Sequence, residues 1–283
     1  MSDDADLTLR EVLDVLEGLY PPHTAQSWDR VGLVTGDPEQ AVRRIHLAVD
    51  PTLAVIAEAR ELGADLLLTH HPLLLRGVHS IATTSAKGAG VTDLVVGDVA
   101  LYVAHTNADV AEQGVGTALA QACGLTGTEP LTLVEGQPLG RVGDLEDAVS
   151  LRLFVERLAS RLPVGAGGIR VAGPPDAVVR RVALLGGSGD DLFDAVRASG
   201  ADVYVTADLR HHPALEAREE ARGGTPYLVD AGHWASEFPW LAWAQRALLA
   251  GLGERATRVE THISTVRTDP WTFVVGADPG GMP

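Results

Sequence analysis

Apolar positions along the chain fall into two periods. Leu9, Val12, Leu13, Leu16 and Leu19 recur at helical spacing and predict an amphipathic helix over Thr8–Leu19. Thr8 and Glu11 have the spacing of a capping box, and Pro21-Pro22 forbids continuation. Ile45, Leu47 and Val49 alternate, which predicts a strand over 44–50. Pro51 can open a helix that runs to about Leu62, where Gly63 ends it. Leu66-Leu67-Leu68-Thr69 is continuously apolar and short, as in a strand buried on both faces. A helix over 88–96, a strand over 99–104 and a helix over 114–122 complete a first lobe at about residue 125.

The second half, 126–283, starts less regularly. Residues 124–140 are expected to be loop-rich, Gly140-Arg141-Val142-Gly143 a tight turn, and Leu145–Ala159 a helix. Strands are expected around Ile169–Val171 and over 181–185, 203–206 and 228–230, with a helix over 190–199. Strands alternating with helices define an α/β chain. The segment Gly63-Ala64-Asp65-Leu66-Leu67-Leu68-Thr69 is echoed by Gly200-Ala201-Asp202-Val203-Tyr204-Val205-Thr206. Each copy leads to a His-His-Pro triplet, with four extra residues before the second. The expectation is two related α/β lobes, 1–125 and 126–283.

Hydrophobic residues make up 46% of the 283, enough for a sizeable core, and aromatics only 5%, so Leu, Val and Ala must fill it. The net charge of −16 argues against nucleic acid or anionic lipid as a partner, since no basic patch stands out. Cys123, the single cysteine, reads as an ordinary buried thiol; it offers neither an internal disulfide nor a cysteine metal cluster. The acidic start, Met1–Asp6, has no signal-peptide pattern, and no apolar run is long enough to span a membrane. A cytoplasmic location is expected. The helix around Trp240–Leu249 carries apolar residues that either face a partner or pack inside the lobe.

Candidate chemistry gathers just past predicted strand ends, the edge where α/β folds bind ligands. His70-His71 follows the first Leu-rich strand. His105-Thr106-Asn107-Ala108-Asp109 follows the next. There Asp109 is a hard oxygen donor, and His105 either binds metal or orients Asp109. Thr106 or Asn107 equally reads as a helix cap. His233 and Glu237 follow Leu228-Val229-Asp230 at i,i+4 spacing, which points both side chains from one helical face. A lone histidine pair is weak evidence of a metal site. Three polar clusters at three strand ends are far stronger. Together they supply three imidazoles and two carboxylates, more than one zinc needs and well suited to two divalent ions. Zinc, iron and manganese all accept such mixed donors.

These segments, with Ser27-Trp28-Asp29, Val31-Gly32-Leu33, Thr69 and Pro72 around the first histidine pair, Gly140–Gly143, Thr206, Asp208-Leu209 and Asp230–His233, resemble the dinuclear-metal family of GTP cyclohydrolase 1 type 2 homologs. The match spans nearly the whole chain. It implies that His70, His71, Asp109, His233 and Glu237 hold two metal ions between the lobes, with Glu237 bridging. It also implies a homohexameric toroid, and the length implies the compact form that lacks a central insertion. Two departures stand out. Ala207 replaces the usual Gly, and Arg210-His211-His212 replaces the usual Lys-Tyr-His.

Asp208, His105 and His212 are the candidate proton-transfer or orienting groups. His211 reads as a loop-surface histidine, and His23, His46, His79 and His262 as structural ones. Arg210, Gly187 and Ser188 are candidate contacts for a phosphate-bearing small molecule. Gly186–Gly189 follows a strand and precedes a helix, yet lacks the Lys-Ser/Thr ending of a nucleotide loop, so a simple turn fits equally well. The leading function is a metal-dependent hydrolase acting on a nucleotide or phosphoester. The competing class is a non-catalytic metal-binding scaffold, regulator or metal-handling protein.

Overall fold

A computed structural model describes residues 6–276; the start of the chain up to Ala5, part of the acidic stretch noted above, lies outside them. In chain order the elements are α1 (Leu9–Leu19), β1 (Gly32–Thr35), β2 (Arg44–Ala48), α2 (Leu53–Glu61), β3 (Leu66–Thr69), α3 (Ala86–Val96), β4 (Ala100–Val103), α4 (Thr106–Val110) and α5 (Val115–Cys123). There follow β5 (Thr128–Val134), β6 (Gln137–Ser150), α6 (Leu151–Ala159), β7 (Arg170–Ala172), β8 (Val178–Ser188), α7 (Phe193–Ser199), β9 (Val203–Ala207), α8 (His211–Glu220), β10 (Tyr227–Asp230), α9 (His233–Glu237), α10 (Pro239–Leu252) and β11 (Glu260–Ile263).

The chain forms two compact units. Within the described residues the first takes in 6–118, 132–139 and 238–268, and the second 119–131, 140–237 and 269–276. Residues 238–268, which the sequence pattern groups with the second lobe, therefore belong to the first unit. The reason is strand pairing. β11 adds parallel to β2, with His262 opposite His46, and α10 buries Trp240, Leu241, Ala244 and Leu248. Those apolar residues pack inside the unit.

The first unit holds the sheet β1-β4-β3-β2-β11. β2, β3, β4 and β11 run parallel, and β1 is antiparallel at the edge. Leu66, Leu67 and Leu68 are fully buried, as their unbroken apolar run requires. The second unit holds the sheet β5-β6-β8-β9-β10-β7. Here β8, β9 and β10 are parallel, and β6 and β7 antiparallel. Phe154, Leu158, Val182, Leu184, Val203, Val205 and Val229 form its core, and Cys123 is buried among them, its thiol pushed up to about 12 by burial. No helix among the described residues is long and apolar enough to cross a membrane.

The echoed segments occupy matching places. Gly63 and Gly200 have φ of +63° and +69°, the left-handed turn that closes a helix and favours glycine. The Asp65 carboxylate then accepts from the backbone N–H groups of Arg43 (2.7 Å) and Arg44 (2.8 Å). The Asp202 carboxylate accepts from those of Arg180 and Arg181, both at 2.8 Å. In both units one carboxylate thus ties the start of a strand to its parallel neighbour. The copies part after the strand: His70-His71 follow β3 directly, whereas His211 and His212 open α8.

Three further expectations differ from the structure. Residues 128–134 are a strand, joined to β6 by a two-residue turn at Glu135-Gly136, where φ is positive at both. Gly140–Gly143 is no turn but lies within β6, with Arg141 opposite Leu184 and Gly143 opposite Val182. The helix expected from Leu145 starts at Leu151. Val149 and Ser150 still pair with β8, and the Ser150 hydroxyl caps the helix by accepting from Leu153 N–H at 3.2 Å. Replacing Phe154, 2% exposed, by Ala should cost about 3–5 kcal/mol in urea unfolding. Val164→Ala, at a position 82% exposed, should stay within about 0.5 kcal/mol. Equal midpoints for the two variants would show that this core is misassigned.

Candidate metal centre

In the first unit, parallel strands deliver donors to one sheet edge. Asp50 follows β2, His70 and His71 follow β3, and His105 and Asp109 follow β4. The imidazoles of His70, His71 and His105 offer nitrogens within 4.8 Å of one another. Their ring centroids lie 4.9, 5.1 and 5.4 Å apart in pairs. Asp109 Oδ1 stands 3.7 Å from His70 Nε2.

The second unit repeats the arrangement. β8 ends in Gly187-Ser188, β9 leads to Asp208, and β10 leads through Gly232 to His233 and Glu237. His233 Nε2 lies 3.0 Å from Glu237 Oε1, the i,i+4 contact its spacing predicts. The Asp230 carboxylate accepts from Leu209 N–H (3.2 Å) and Gly232 N–H (3.2 Å), so the loops after β9 and β10 are tied together.

Every one of these imidazoles is gripped at Nδ1. His70 Nδ1 bonds the carbonyl of Ala104 at 2.9 Å, and His71 Nδ1 the Asp50 carboxylate at 2.7 Å. His105 Nδ1 bonds Asp29 at 2.9 Å, and His233 Nδ1 bonds Asp208 at 2.7 Å. An acceptor at Nδ1 fixes the proton there and presents the Nε2 lone pair, the second-sphere pattern of metal-bound histidine. The donor separations fit as well. Two donors at roughly 2.0–2.2 Å from one ion lie no more than about 4.4 Å apart, and both the 3.7 Å and the 3.0 Å pairs satisfy this.

Gly187 supplies an independent test of fit. A Cβ at this position would lie 2.4 Å from Glu237 Oε1 and 3.1 Å from His233 Nε2, and its φ is +71°. Its N–H donates to Ser236 Oγ (2.9 Å), whose hydroxyl donates to the His233 carbonyl (2.8 Å). The backbone is held in place, and the missing side chain leaves room for the carboxylate and imidazole. The residues present therefore fit divalent metal.

Charge points the same way. Burial alone would lower the His233 pKa, but Glu237 and the Asp208 hydrogen bond override it and push it up to about 11. The carboxylates that hold a second proton on this ring equally favour a metal cation that displaces it from Nε2. Burial would raise the Asp29 pKa, yet hydrogen bonds from His105 and Thr106 hold it far below the usual carboxylate range. Asp29 thus stays ionised as the acceptor that aims His105.

The candidate substrate contacts and helix caps have other roles than the sequence suggests. Arg210 forms ion pairs with Asp190 (3.1 Å from Nη2) and Asp191 (3.5 Å), so its guanidinium is already engaged by carboxylates. Gly187 and Ser188 belong to β8, and α7 begins only at Phe193, so no helix N-terminus stands behind them as a phosphate cradle. His212 is exposed in the first turn of α8, edge-on to His211 with ring centroids 5.1 Å apart. Thr106 and Asn107 do not cap α4. Thr106 Oγ1 donates to Asp29 (2.6 Å), and Asn107 accepts from His105 N–H (2.9 Å) and donates to the Tyr20 carbonyl (2.7 Å).

Asp50, Asp29 and Ser236 escaped sequence reasoning as site-forming residues. A carboxylate immediately after a predicted strand was the available signal for Asp50. His46 also has more structure than expected. It bonds Glu58 at 2.9 Å and His262 at 3.1 Å, a fully polar-satisfied link between β2, α2 and β11.

Two α/β units whose strand ends gather histidines and carboxylates give a class of protein with groups that could hold metal ions. A sequence profile described as Duf34/NIF3 (NGG1p interacting factor 3) matches residues 7–270, and the chain belongs to that family. It is 48% identical to the GTP cyclohydrolase 1 type 2 homolog of Streptomyces coelicolor, over 96% of each chain. It is 32% identical to the homolog of Clostridium perfringens, over 95% of this chain and all of that one. The solved structure of a Bacillus cereus protein related to NIF3 superposes with a TM-score of 0.86 at 26% identity, covering 96% of this chain and all of that one. At 283 residues this is a compact member.

Gly187→Ala should abolish or sharply reduce the metal that copurifies with the protein, because the new methyl group displaces Glu237 and His233. Gly200→Ala, with the same sign of φ and open space around it, should cost only about 1–2 kcal/mol and leave the metal in place. Elemental analysis of both variants, purified without chelator, reads the difference. Equal metal content in the two would remove Gly187 from the site.

Proposed function

We propose that the protein holds two divalent ions through His70, His71, Asp109, His233 and Glu237 and hydrolyses a phosphate-bearing small molecule. The observation that carries this reading is the uniform Nδ1 anchoring, which presents Nε2 at His70, His71, His105 and His233. Structural burial alone does not call for four imidazoles held in one tautomer. Grouping the five residues as one dinuclear set follows the family resemblance, and five donors are more than the three or four protein ligands one zinc ion usually takes. Zinc, iron and manganese all suit the set.

A divalent pair supplies Lewis acidity and a water that ionises near neutral pH. The chain supplies the rest. Asp50, the Ala104 carbonyl and Asp208 hold ligand imidazoles in one orientation. His105, aimed by Asp29, stands beside His70 and His71 and moves protons to or from the reacting group. Asp208 steadies His233; it is not assigned as an independent acid. The relatives' name offers GTP as a first substrate to test. A homohexamer, as the family resemblance implies, is the proposed assembly.

The test is turnover of GTP and of simple phosphoesters by parent and Asp109→Ala protein, each loaded with defined zinc, iron or manganese. Parent turnover should exceed that of the variant by at least about 100-fold, as expected when a ligand of the reacting centre is lost. Matching trace rates, or no turnover of any substrate with any metal, would contradict the hydrolase and favour a non-catalytic metal protein.

A further inference from the structure

The loop before β1 combines rigidity with exposure. Asp29 N–H donates to the Gln26 carbonyl at 2.9 Å, closing a tight turn with Ser27 and Trp28 at its centre. Gln26 N–H donates to Thr106 Oγ1 at 3.0 Å. Ser27 gives both its N–H and its hydroxyl to the Glu135 carboxylate, each at 2.8 Å. Asp29 is buried and accepts from His105 and Thr106. Trp28 Nε1 donates to Gln26 Oε1 at 2.8 Å, which fixes the indole plane.

Yet Trp28 is 50% exposed, while Trp240 of the same unit is fully buried. A mobile loop can leave an indole in water by default; this loop is pinned at each of its residues. The indole also makes an edge contact with His105, with ring centroids 5.8 Å apart. His105 in turn shares a nitrogen cluster with His70 and His71. A flat apolar face is therefore held rigidly beside the proposed reaction centre.

We propose that Trp28 is the stacking platform for a planar heteroaromatic ring of the substrate and so determines its class. This inference rests on the functional reading above and narrows it. A preorganised indole loses little freedom when a ring stacks on it, and such stacking tolerates any base with a π-face. Phosphate bound at the metal centre and a ring on Trp28 would give the substrate two fixed ends, the arrangement that aligns a reacting bond. Asp29 links the two ends, because one carboxylate both anchors the turn carrying Trp28 and aims His105.

The test is equilibrium binding of GTP, ATP and base-free inorganic triphosphate to metal-loaded parent, Trp28→Ala and Trp28→Phe proteins, with metal content and oligomer size measured alongside. Trp28→Ala should bind both nucleotides about 10-fold more weakly, Trp28→Phe should recover most of that loss, and triphosphate should bind all three proteins equally. Unchanged nucleotide affinity in Trp28→Ala overturns the proposal. So does an equal loss for triphosphate, which would mean that the substitution disturbs the metal centre. A change in oligomer size overturns it too, since the indole would then be an interface residue. Failure of the parent to bind either nucleotide also counts against it. Nucleotide binding that needs Trp28 but leads to no turnover removes the hydrolase and leaves the platform standing. Turnover with unchanged affinity in Trp28→Ala does the reverse.

Discussion

Four imidazoles of this protein have one ring nitrogen held by a fixed acceptor, and that constraint organises the candidate centre. Nδ1 of His70, His71, His105 and His233 each faces a fixed acceptor. The acceptors are Ala104, Asp50, Asp29 and Asp208. Three of them sit just past the C-terminal end of a sheet strand, as do the histidines themselves. Neighbouring parallel strands place one histidine and the group that aims it at the same edge. Sheet register thus becomes imidazole orientation, and the tautomer of each ring depends on parallel strands ending together.

The two units reach this result with one device. A left-handed glycine closes a helix, and the aspartate two positions on clamps two consecutive N–H groups of the preceding parallel strand. After that the units diverge. In the first, the strand feeds its histidines straight into the site. In the second, the matching strand contributes only Asp208, held at a φ of +52°, and the donors come from the next strand. The four extra residues before His211-His212 carry that pair onto the exposed start of α8, which explains why an obvious sequence echo does not place a second histidine pair directly at a strand end.

Much of this was legible in the sequence. Runs such as Leu66–Leu68 declare buried parallel strands, and polar clusters directly after them declare an edge site. The i,i+4 spacing of His233 and Glu237 gives their contact outright. The β5–β6 hairpin was not legible, because a Glu-Gly turn lacks the usual Asn-Gly or Asp-Gly signal and the strands beside it are half exposed. The Leu145–Ser150 stretch misled because its apolar spacing suits either period, and only the Ser150 cap marks where the helix starts. The return of residues 238–268 to the first unit was hidden for a different reason. Strand pairing between β11 and β2 is a long-range choice that local periodicity does not encode. Asp29 and Asp50 look like ordinary turn acids until their partners are seen, and Arg210 looks like a free anion binder until Asp190 and Asp191 are.

The central claim is that anchored imidazoles present Nε2 to a pair of ions. Anomalous X-ray scattering at the zinc, iron and manganese edges, from crystals of the protein purified without chelator, tests it directly. The account predicts two metal peaks per chain, bonded to Nε2 of His70, His71 and His233 and to oxygens of Asp109 and Glu237, with every Nδ1 still on its acceptor. A single peak per chain, ligation through Nδ1, or metal lying away from these residues would contradict it.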